Sequence, residues 1–533
     1  MSQITLRNAR LFAEDHFTEP TSLNISKGRI AATGEDAAHA AGEASAESID
    51  IDGGFVMPGF IESHGHPSMY GRTLLQVDVR PAVVTSIAEI QEAIAAAARE
   101  TEAGGWIRGA GWDETYLAED RVPTRADLDA VAPDHPVVLT RTCRHMLLVN
   151  SKALELSGID ENTPDPTGGR LVKDSSGQLT GLCQEKAMDL IAVPDYEPAE
   201  LAGGFARAEQ QFLDWGITTV HDMSTSRADL RLYTELAAEG RLGVRLRPWL
   251  WALTQMGYDG ILDAALEAGV TSGLGDDWMR IQGAKFVLDG GVGGKTAALC
   301  CPYENSDETG ILYIDDETLT EHLRAATAGG LRLAIHSIGD AAIAQARRAL
   351  QNIGDDEAIR SRRTRIEHCT LPTDEDLDFL ADWNIIAASS VGFIYHLGDS
   401  YLKVLGRERM PRVYPHRSFI DRGIFAPGNS DVPVTNGNPW EGIFGAVTRT
   451  TKTGQVLDSE QNITLPEAIR AYTSDAAYTS FEEAALGTLA PGAHADLQVY
   501  DRDPFACSPE EWLELRPQAV YVAGTARQLS AQR

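Results

Sequence analysis

Met57-Pro-Gly-Phe-Ile-Glu-Ser-His-Gly-His-Pro67 is the stretch around which the rest of the chain is organised. It follows an apolar run, bends at a Pro-Gly pair and ends on two histidines one residue apart. Because alternate side chains of a β-strand share a face, His64 and His66 can point into one space. Two imidazoles at a strand end can hold a divalent transition metal such as zinc. Taken alone, the pair fits two surface histidines in a loop equally well.

The composition is that of a long acidic protein. The chain has 533 residues, 43% of them hydrophobic, and a formal net charge of −32. Such a charge argues against a nucleic-acid partner, because phosphate binding requires a basic surface. No apolar run reaches the length of a membrane span, and the N-terminus lacks the apolar core of a signal peptide. We therefore expect a cytoplasmic protein with no membrane or nucleic-acid partner. Its expected partners are a small-molecule substrate and further copies of the chain in a homo-oligomer, with a dimer as the expected form.

The six cysteines are too few for a disulfide framework in so long a chain. Cys300 and Cys301 are adjacent and could not both join one ordinary zinc site without strain. We expect all six to be reduced, in agreement with a cytoplasmic location.

From about residue 200 onward, predicted helices and apolar strands alternate. The strands are ITTVHDM, VRLRPWLWAL, MRIQGAKFVLDGG, LRLAIHSIGD, TRIEHCTL, NIIAASSVGFIY and IFAPGNSDVPV. With the opening strand, eight apolar strands carry interleaved helices, which predicts an α/β fold with a closed parallel (β/α)8 TIM-like barrel. The active site of such a barrel lies at the C-terminal ends of its strands.

Both ends of the chain contain short strands that cannot bury an apolar face alone. We expect them to pair in one small β-sandwich domain beside the barrel, built from residues 1–57 and 488–533. The barrel is then predicted to span residues 58–487. Residues from about 70 to 200 do not alternate cleanly and are expected to form an inserted subdomain over the barrel mouth, with a hairpin in GGRLVKDSSGQLTGLCQE.

Polar residues stand at the C-terminal ends of several predicted barrel strands. A single buried histidine is more often a satisfied core residue. Chance placement does not account well for four histidines and an aspartate at one end of one barrel, so we expect these residues to form a shared site. The residues are His64 and His66 on strand one, Lys285 on strand four, His336 on strand five, His368 on strand six and Asp431 on strand eight.

Nine ordered motifs make the chain resemble the amidohydrolase superfamily of metal-dependent hydrolases. They are MPGFIESHGHP, GWDETY, VNSKAL, GITTVHD, KFVLDGGVGGKTAAL, AIHSIGD, RIEHC, NSDVPVTNGNPWEGIFGAVTR and GTLAPGAHADLQVYDRDPF. More narrowly, the chain resembles the YtcJ-like branch, or amidohydrolase 3 group, which includes N-substituted formamide deformylases. The resemblance covers essentially the whole chain and is specific for the family rather than for a substrate.

The resemblance implies a divalent metal, with zinc the expected ion, as one ion or two. His64 and His66 would bind the more buried ion, with Asp431 beside them. His336 and His368 would bind a second ion or, in a one-metal site, complete the shell and hold the substrate.

Lys285 matches a lysine that is carboxylated in some members of the family and bridges two metals. An ordinary lysine cation would repel a metal, whereas a carbamate supplies two anionic oxygens. The alternative is a neutral lysine or an ion pair with Asp289 on the same strand face. The sequence leaves both open.

The mechanism that follows is hydrolysis by a metal-activated water. A divalent cation lowers the pKa of bound water and polarises the substrate carbonyl. Asp431 would take the proton and deliver it to the leaving nitrogen, with His336 and His368 at the same catalytic site. We expect cleavage of a non-peptide carbon–nitrogen bond in an amide, a formamide or a cyclic amide. Deamination or ester cleavage is the alternative reaction, and a non-catalytic binding or regulatory relic of the fold is the alternative of another class.

Five further residues are predicted to line the substrate pocket: His145, Asp113, Tyr116, His221 and Asp289. The first three lie in the inserted region, and loops over a barrel mouth often carry function. Loop hydrogen bonding is the favoured alternative for Asp113 and is left open for His145. Glu367 neighbours His368 and is expected to point to the opposite face, so it is not counted as a ligand.

Overall fold

The structure is a computed structural model that describes residues 3–13, 15–40, 46–81, 83–141, 146–166, 169–256 and 258–530. The chain forms two compact units, one of Met1–Ser68 with Ala208–Arg533 and one of Met69–Arg207. Among the described residues, no helix combines the length and the apolarity that a membrane crossing requires.

Strands and helices are numbered in chain order. The strands are β1 (Gln3–Ala13), β2 (His16–Phe17), β3 (Thr21–Ser26), β4 (Arg29–Thr33), β5 (Ala46–Asp50), β6 (Phe55–Pro58), β7 (Phe60–Gly65), β8 (Val77–Asp78), β9 (Ile107–Trp112), β10 (Val137–Arg141), β11 (Met146–Val149), β12 (Gly169–Lys173), β13 (Leu179–Glu185), β14 (Ile217–Thr225), β15 (Arg245–Trp251), β16 (Gly283–Val287), β17 (Arg332–Ser337), β18 (Arg365–His368), β19 (Ile386–Ser389), β20 (Leu497–Tyr500), β21 (Ala519–Val522) and β22 (Thr525–Arg527). The α-helices are α1 (Gly34–Ala40), α2 (Pro67–Leu74), α3 (Ile87–Glu100), α4 (Arg125–Asp129), α5 (Ser151–Leu156), α6 (Pro198–Asp214), α7 (Arg227–Ala238), α8 (Leu262–Glu267), α9 (Asp316–Ala328), α10 (Asp340–Gln351), α11 (Asp356–Ser361), α12 (Asp374–Asp382), α13 (Gly392–Leu405), α14 (His416–Asp421), α15 (Pro439–Thr448), α16 (Leu465–Ala471), α17 (Ser474–Tyr478) and α18 (Pro509–Trp512).

Strands from both ends of the chain form one sheet in the first unit. Its order is β22-β21-β20-β6-β1-β3-β4, with β2 and β5 also paired to β1. The antiparallel pairing of β6 with β20 joins the two ends, and Leu6, Leu23, Val56 and Leu497 lie buried in one apolar cluster beneath it. The prediction that the two termini share one β-structure is confirmed.

Seven parallel strands form the barrel sheet, in the order β7-β14-β15-β16-β17-β18-β19. Helices α7 to α12 fall between consecutive strands from β14 to β19. Leu319 and Leu323 of α9 and Ile343 of α10 share an apolar cluster with Phe286 and Ile335 of the strands, as an amphipathic helix on a parallel sheet requires. The predicted barrel is confirmed.

The eighth barrel position is held by an extended segment rather than the predicted strand IFAPGNSDVPV. Two amides of β19 donate to carbonyl groups of this segment, and Asp431 N donates to His64 O, at the end of β7, at 3.0 Å. Pro427 and Pro433 carry no amide proton, and Asp431 has a φ of 55°, so a regular ladder does not form. The barrel is therefore nearly closed, and its last segment brings Asp431 to the end of β7.

The second unit contains a six-stranded sheet in the order β12-β13-β11-β10-β9-β8. Helix α3 begins at the N-cap Ser86, which accepts from Glu89 N, and buries Ile90 and Ile94 against Trp112 and its neighbours. The antiparallel pair β12 and β13 is the predicted hairpin. The boundaries at residues 57 and 487, and the place of the insertion over the barrel mouth, stay predictions.

Candidate metal centre

The histidine pair lies at the C-terminal end of β7, whose six residues are all buried. His64 is the fifth residue of the strand and His66 follows its end. The two rings are 5.6 Å apart. The strand therefore directs both imidazoles to one place, as its alternation requires.

Asp431 brings a carboxylate oxygen to the two imidazoles. Its Oδ1 lies 2.9 Å from His66 Nε2 and 3.6 Å from His64 Nε2. The oxygen is buried and accepts no hydrogen bond from any residue that the structure describes, although His66 Nε2 is within reach. Asp431 Oδ1 and the two Nε2 atoms are therefore close together without the alignment of a hydrogen bond, which is the arrangement expected of ligands around one ion.

The three side chains fit a divalent cation. One ligand atom of each lies within 4.8 Å of the others among the described residues. Two imidazole nitrogens and a carboxylate oxygen are a donor set that suits zinc and related metals. Within the described part of the chain no donor reaches the buried Oδ1 of Asp431, and a cation beside this oxygen would explain why.

His368 and His336 continue the cluster. The His368 ring lies 4.6 Å from that of His64 and 4.5 Å from that of His336. His368 has a φ of 65° and Cys369 one of 46°, a left-handed turn that costs about 1–3 kcal/mol per residue and is found at functional sites. The structure thus brings four predicted histidines and Asp431 together.

Three of the four histidines are oriented by a hydrogen bond at Nδ1. The pairs are His64 with Glu367 Oε2 at 2.6 Å, His66 with Ser224 Oγ at 2.8 Å and His368 with Ser390 Oγ at 2.8 Å. A bond of this kind fixes the ring and its tautomer and turns Nε2 into the atom that can bind a metal. In His336 the engaged atom is Nε2, 3.4 Å from Gly290 O, so Nδ1 is its free ligand atom.

Burial keeps the imidazoles of His64, His336 and His368 neutral, which is the form that binds a metal. Burial lowers the pKa of His64 and of His368 well below the ordinary value. Burial, with the Lys285 ammonium as a second cause, lowers the pKa of His336 to about 3.

Glu367 is a partner of the site that the sequence did not reveal. Its carboxylate is held by Arg365, with Nε 2.6 Å from Oε1 and Nη2 2.9 Å from Oε2, and both side chains are fully buried. Arg365 Nη2 also donates to Ser63 O at 2.8 Å. Strand alternation predicted that Glu367 would point away from His368. Glu367 shares a strand face with Arg365 and reaches His64 from it, while the left-handed φ of His368 brings the His368 ring to the same cluster.

Glu62 ties the two ligand-bearing segments together and was also missed. Its carboxyl accepts from Ser430 Oγ at 2.6 Å, from Ser430 N at 3.2 Å and from His64 N at 3.1 Å. Burial raises the pKa of Glu62 to about 8. Glu62 lies in the motif FIESH and Ser430 in the motif NSDVP, but nothing in the sequence indicates that the two side chains are in contact.

Lys285 lies at the cluster, with Nζ 3.5 Å from His64 Nε2. Burial lowers the pKa of Lys285 to about 8, against the opposing effect of Glu367 and Asp431. A lysine with such a pKa is partly neutral near pH 8, and the neutral amine is the form that can react with carbon dioxide.

Asp289 and His221, two of the predicted substrate-pocket residues, are both fully buried, and their roles toward a substrate stay predictions. Asp289 is fully buried, and its carboxylate accepts from Ala298 N, Ile338 N and Gly339 N at 2.8–3.0 Å. Its Oδ1 also lies 3.5 Å from His336 Nε2, and burial raises the pKa of Asp289 to about 7. The alternative ion pair with Lys285 is not formed.

His221 is likewise fully buried, with Nδ1 3.3 Å from Trp249 Nε1 and 3.3 Å from Arg365 Nη1. Burial lowers its pKa well below the ordinary value. It therefore packs inside the barrel.

The remaining predicted pocket residues belong to the second unit. Asp113 forms an ion pair with Arg141 at 3.0 Å, in line with the loop-bonding alternative. Tyr116 is 64% exposed. His145 lies outside the described residues. Their roles toward a substrate stay predictions.

Comparisons with known proteins agree with this geometry. A model of the amidohydrolase family matches residues 47–526. YtcJ of Bacillus subtilis (strain 168) is 31% identical over 481 residues, 88% of each chain. The N-substituted formamide deformylase of Arthrobacter pascens is 28% identical over 529 residues, 94% of each chain. The crystal structure of an uncharacterized metal-dependent hydrolase from Pyrococcus furiosus is similar with a TM-score of 0.77 and 28% identity, over 94% of this chain and 99% of that one.

Proposed function

The chain belongs to the amidohydrolase family and is a metal-dependent hydrolase, and from this premise we propose that it cleaves a non-peptide carbon–nitrogen bond in an amide, a formamide or a cyclic amide. The observation that carries the proposal is the convergence of Asp431 Oδ1 with Nε2 of His64 and His66. The relative named N-substituted formamide deformylase supports carbon–nitrogen cleavage.

The metal would be held by His64, His66 and Asp431, with zinc as the proposed ion. His336 and His368 would hold a second ion or, beside a single ion, position the substrate. Lys285 would join a two-ion site as a carbamate, for which its buried amine at 3.5 Å from His64 Nε2 is suitably placed. When bound, a divalent cation supplies Lewis acidity, which polarises a carbonyl group and makes water a stronger acid.

Asp431 is the proposed proton carrier. Its Oδ1 accepts no hydrogen bond within the described residues, so a lone pair is available to take a proton from water. The same carboxyl would then deliver that proton to the leaving nitrogen, which must be protonated to depart as an amine. One carboxylate thus acts first as the base and then as the acid.

Substrate would approach from the side of His66 and His336. The side chain of His66 is 12% exposed and that of His336 17%, whereas those of His64 and His368 are buried. The more exposed imidazoles can contact a carbonyl oxygen, while the buried pair holds the inner side of the site. This division of roles follows from burial alone.

The proposal is tested by metal analysis followed by a substrate screen. The purified protein is assayed for zinc, manganese, iron and cobalt, then incubated with N-formyl, N-acyl and cyclic-amide compounds. Asp431→Asn is the test variant, and Asp421→Asn, an exposed aspartate of helix α14, is the matched control. We expect bound metal and turnover of at least one compound class. Asp431→Asn should lose this turnover, and the control variant should keep it.

Two results would reject the proposal. A protein that purifies without metal and stays inert after reconstitution would favour a non-catalytic relic. Near-normal turnover by Asp431→Asn would remove the assigned role of Asp431.

Location and assembly are further proposals. The acidic composition and the expected reduced cysteines support a cytoplasmic protein, and a homodimer is the proposed assembly. Light scattering on the purified protein measures the mass in solution, and a monomeric mass would reject the dimer.

A further inference from the structure

Cys300 and Cys301 present both sulfur atoms on one side of the chain, 3.6 Å apart. Both residues are exposed. In an extended strand, adjacent side chains would point to opposite faces, but the chain bends at both positions. The result is a surface dithiol that the metal centre does not use.

A disulfide between the two sulfurs is disfavoured. Adjacent Cα atoms are about 3.8 Å apart, whereas ordinary disulfides need about 4.4–6.8 Å. Partial burial and the hydrogen bond to Asp340 raise the pKa of the Cys300 thiol to about 12, which makes it a poor thiolate for disulfide exchange. The two cysteines therefore remain thiols, and both sulfur atoms are free to form bonds to one bridging atom.

The dithiol is connected to the His336 side of the metal centre. Cys300 donates to Asp340 through its backbone N at 2.8 Å and through Sγ at 3.1 Å. Asp340 opens helix α10, four residues after His336. Just before the pair, Ala298 N donates to Asp289, which also holds two amides that follow β17.

We propose that Cys300 and Cys301 form a vicinal-dithiol site for a trivalent arsenical, and that its occupation loosens the segment held by Asp289 and Asp340. Two S–As bonds form while the As=O bond of an arsenoxide breaks. The two thiol protons leave with the oxygen as water, and no atom changes its oxidation state. Because Cys300 Sγ leaves Asp340 in this reaction, one of the contacts between the segment and helix α10 is lost.

The first experiment treats the metal-loaded protein with phenylarsine oxide. We expect one arsenic per chain by intact mass, a loss of two titratable thiols per arsenic, and peptide mapping to residues 300–301. A small dithiol should reverse the adduct, whereas a monothiol at equal thiol concentration should not. Cys300→Ser and Cys301→Ser should each abolish the two-thiol adduct. Cys507→Ser, at a half-buried single cysteine, should leave it unchanged.

The second experiment measures amide hydrogen exchange with and without the arsenical. We expect faster exchange at Ala298, Ile338 and Gly339, whose amides Asp289 holds. Loss of only one thiol per arsenic, or mapping to another cysteine, would overturn the site. Unchanged exchange at the three amides in the two-thiol adduct would overturn the loosening. Neither result depends on a substrate, so the test is independent of the proposed hydrolysis.

Discussion

Replacing Glu367 by Gln should weaken metal binding without touching a ligand. Glu367 Oε2 accepts from His64 Nδ1 at 2.6 Å, and Arg365 donates to both carboxylate oxygens. Both neighbours are donors, so an amide NH2 in this place must face one of them. If it faces His64, the imidazole has to move its proton to Nε2 and loses the lone pair that would bind the ion. If it faces Arg365, a buried guanidinium N–H loses its acceptor.

The expected size follows from the burial of these groups. Loss of a hydrogen-bond partner of a ligating histidine typically lowers metal affinity about 10–100-fold, or about 1.4–2.7 kcal/mol. Breaking a buried ion pair costs about 3–5 kcal/mol of stability when one partner is removed. Glutamine keeps the shape and one acceptor, so we expect the lower end of that stability range.

The assay separates the two effects. Metal affinity is measured by competition with a chromophoric chelator, and stability by denaturant unfolding of the metal-free protein. The matched control is Glu482→Gln, because Glu482 is also buried and paired with an arginine, Arg247, at 2.5 and 2.8 Å, and bonds no histidine of the cluster. The control should lose similar stability and keep its metal affinity. An unchanged metal dissociation constant in Glu367→Gln would show that Glu367 does not affect metal binding through His64.

Three other changes have defined outcomes. Removal of the metal by a chelator should lower the melting temperature, and re-addition should restore it, since an ion at about 1,000 times its Kd stabilises the fold by about 4 kcal/mol. A melting temperature that is the same with and without the metal would contradict this. Burial raises the pKa of Glu209 to about 7 from 4.5, so its contribution to stability is full below pH 4.5 and is lost as the pH rises through 7, an effect of about 3 kcal/mol. Glu209→Gln should therefore stabilise the metal-free protein at pH 8 more than at pH 5, by thermal unfolding, and an equal effect at both values would be evidence against it. Asp496→Asn should lower the free energy of unfolding in denaturant by about 3–5 kcal/mol, because it breaks a buried ion pair with Arg245 at 2.6 and 3.0 Å. The control Glu239→Gln removes one partner of an exposed ion pair and should lower it by less than about 1 kcal/mol.

The ligand histidines could be predicted because strand periodicity and barrel topology place them. His64, His336 and His368 each stand in an apolar strand or at its end, and parallel strands of a barrel bring their C-terminal ends to one rim. Asp431 could be placed by the same rule, although its segment is not a regular strand. The family motifs agreed with this placement.

The partners of the ligands could not be predicted from the same rules. Glu367 reaches His64 from the strand face that it shares with Arg365, and a left-handed φ brings the His368 ring to the same cluster. Ser224 and Ser390 are ordinary serines until the fold brings them to imidazoles. Conversely, Asp289 is a polar residue near a strand end whose carboxylate accepts hydrogen bonds from three backbone amides. Periodicity gives the face of a residue but not its hydrogen-bond partner.

Anomalous X-ray diffraction from crystals of the metal-loaded protein would show whether His64, His66 and Asp431 bind one ion. We expect a peak at the end of β7, about 2.0–2.2 Å from Nε2 of His64, Nε2 of His66 and a carboxylate oxygen of Asp431. A second peak near His336 and His368 would establish two ions. Absence of any peak beside His64 and His66 in crystals soaked with zinc would contradict the account.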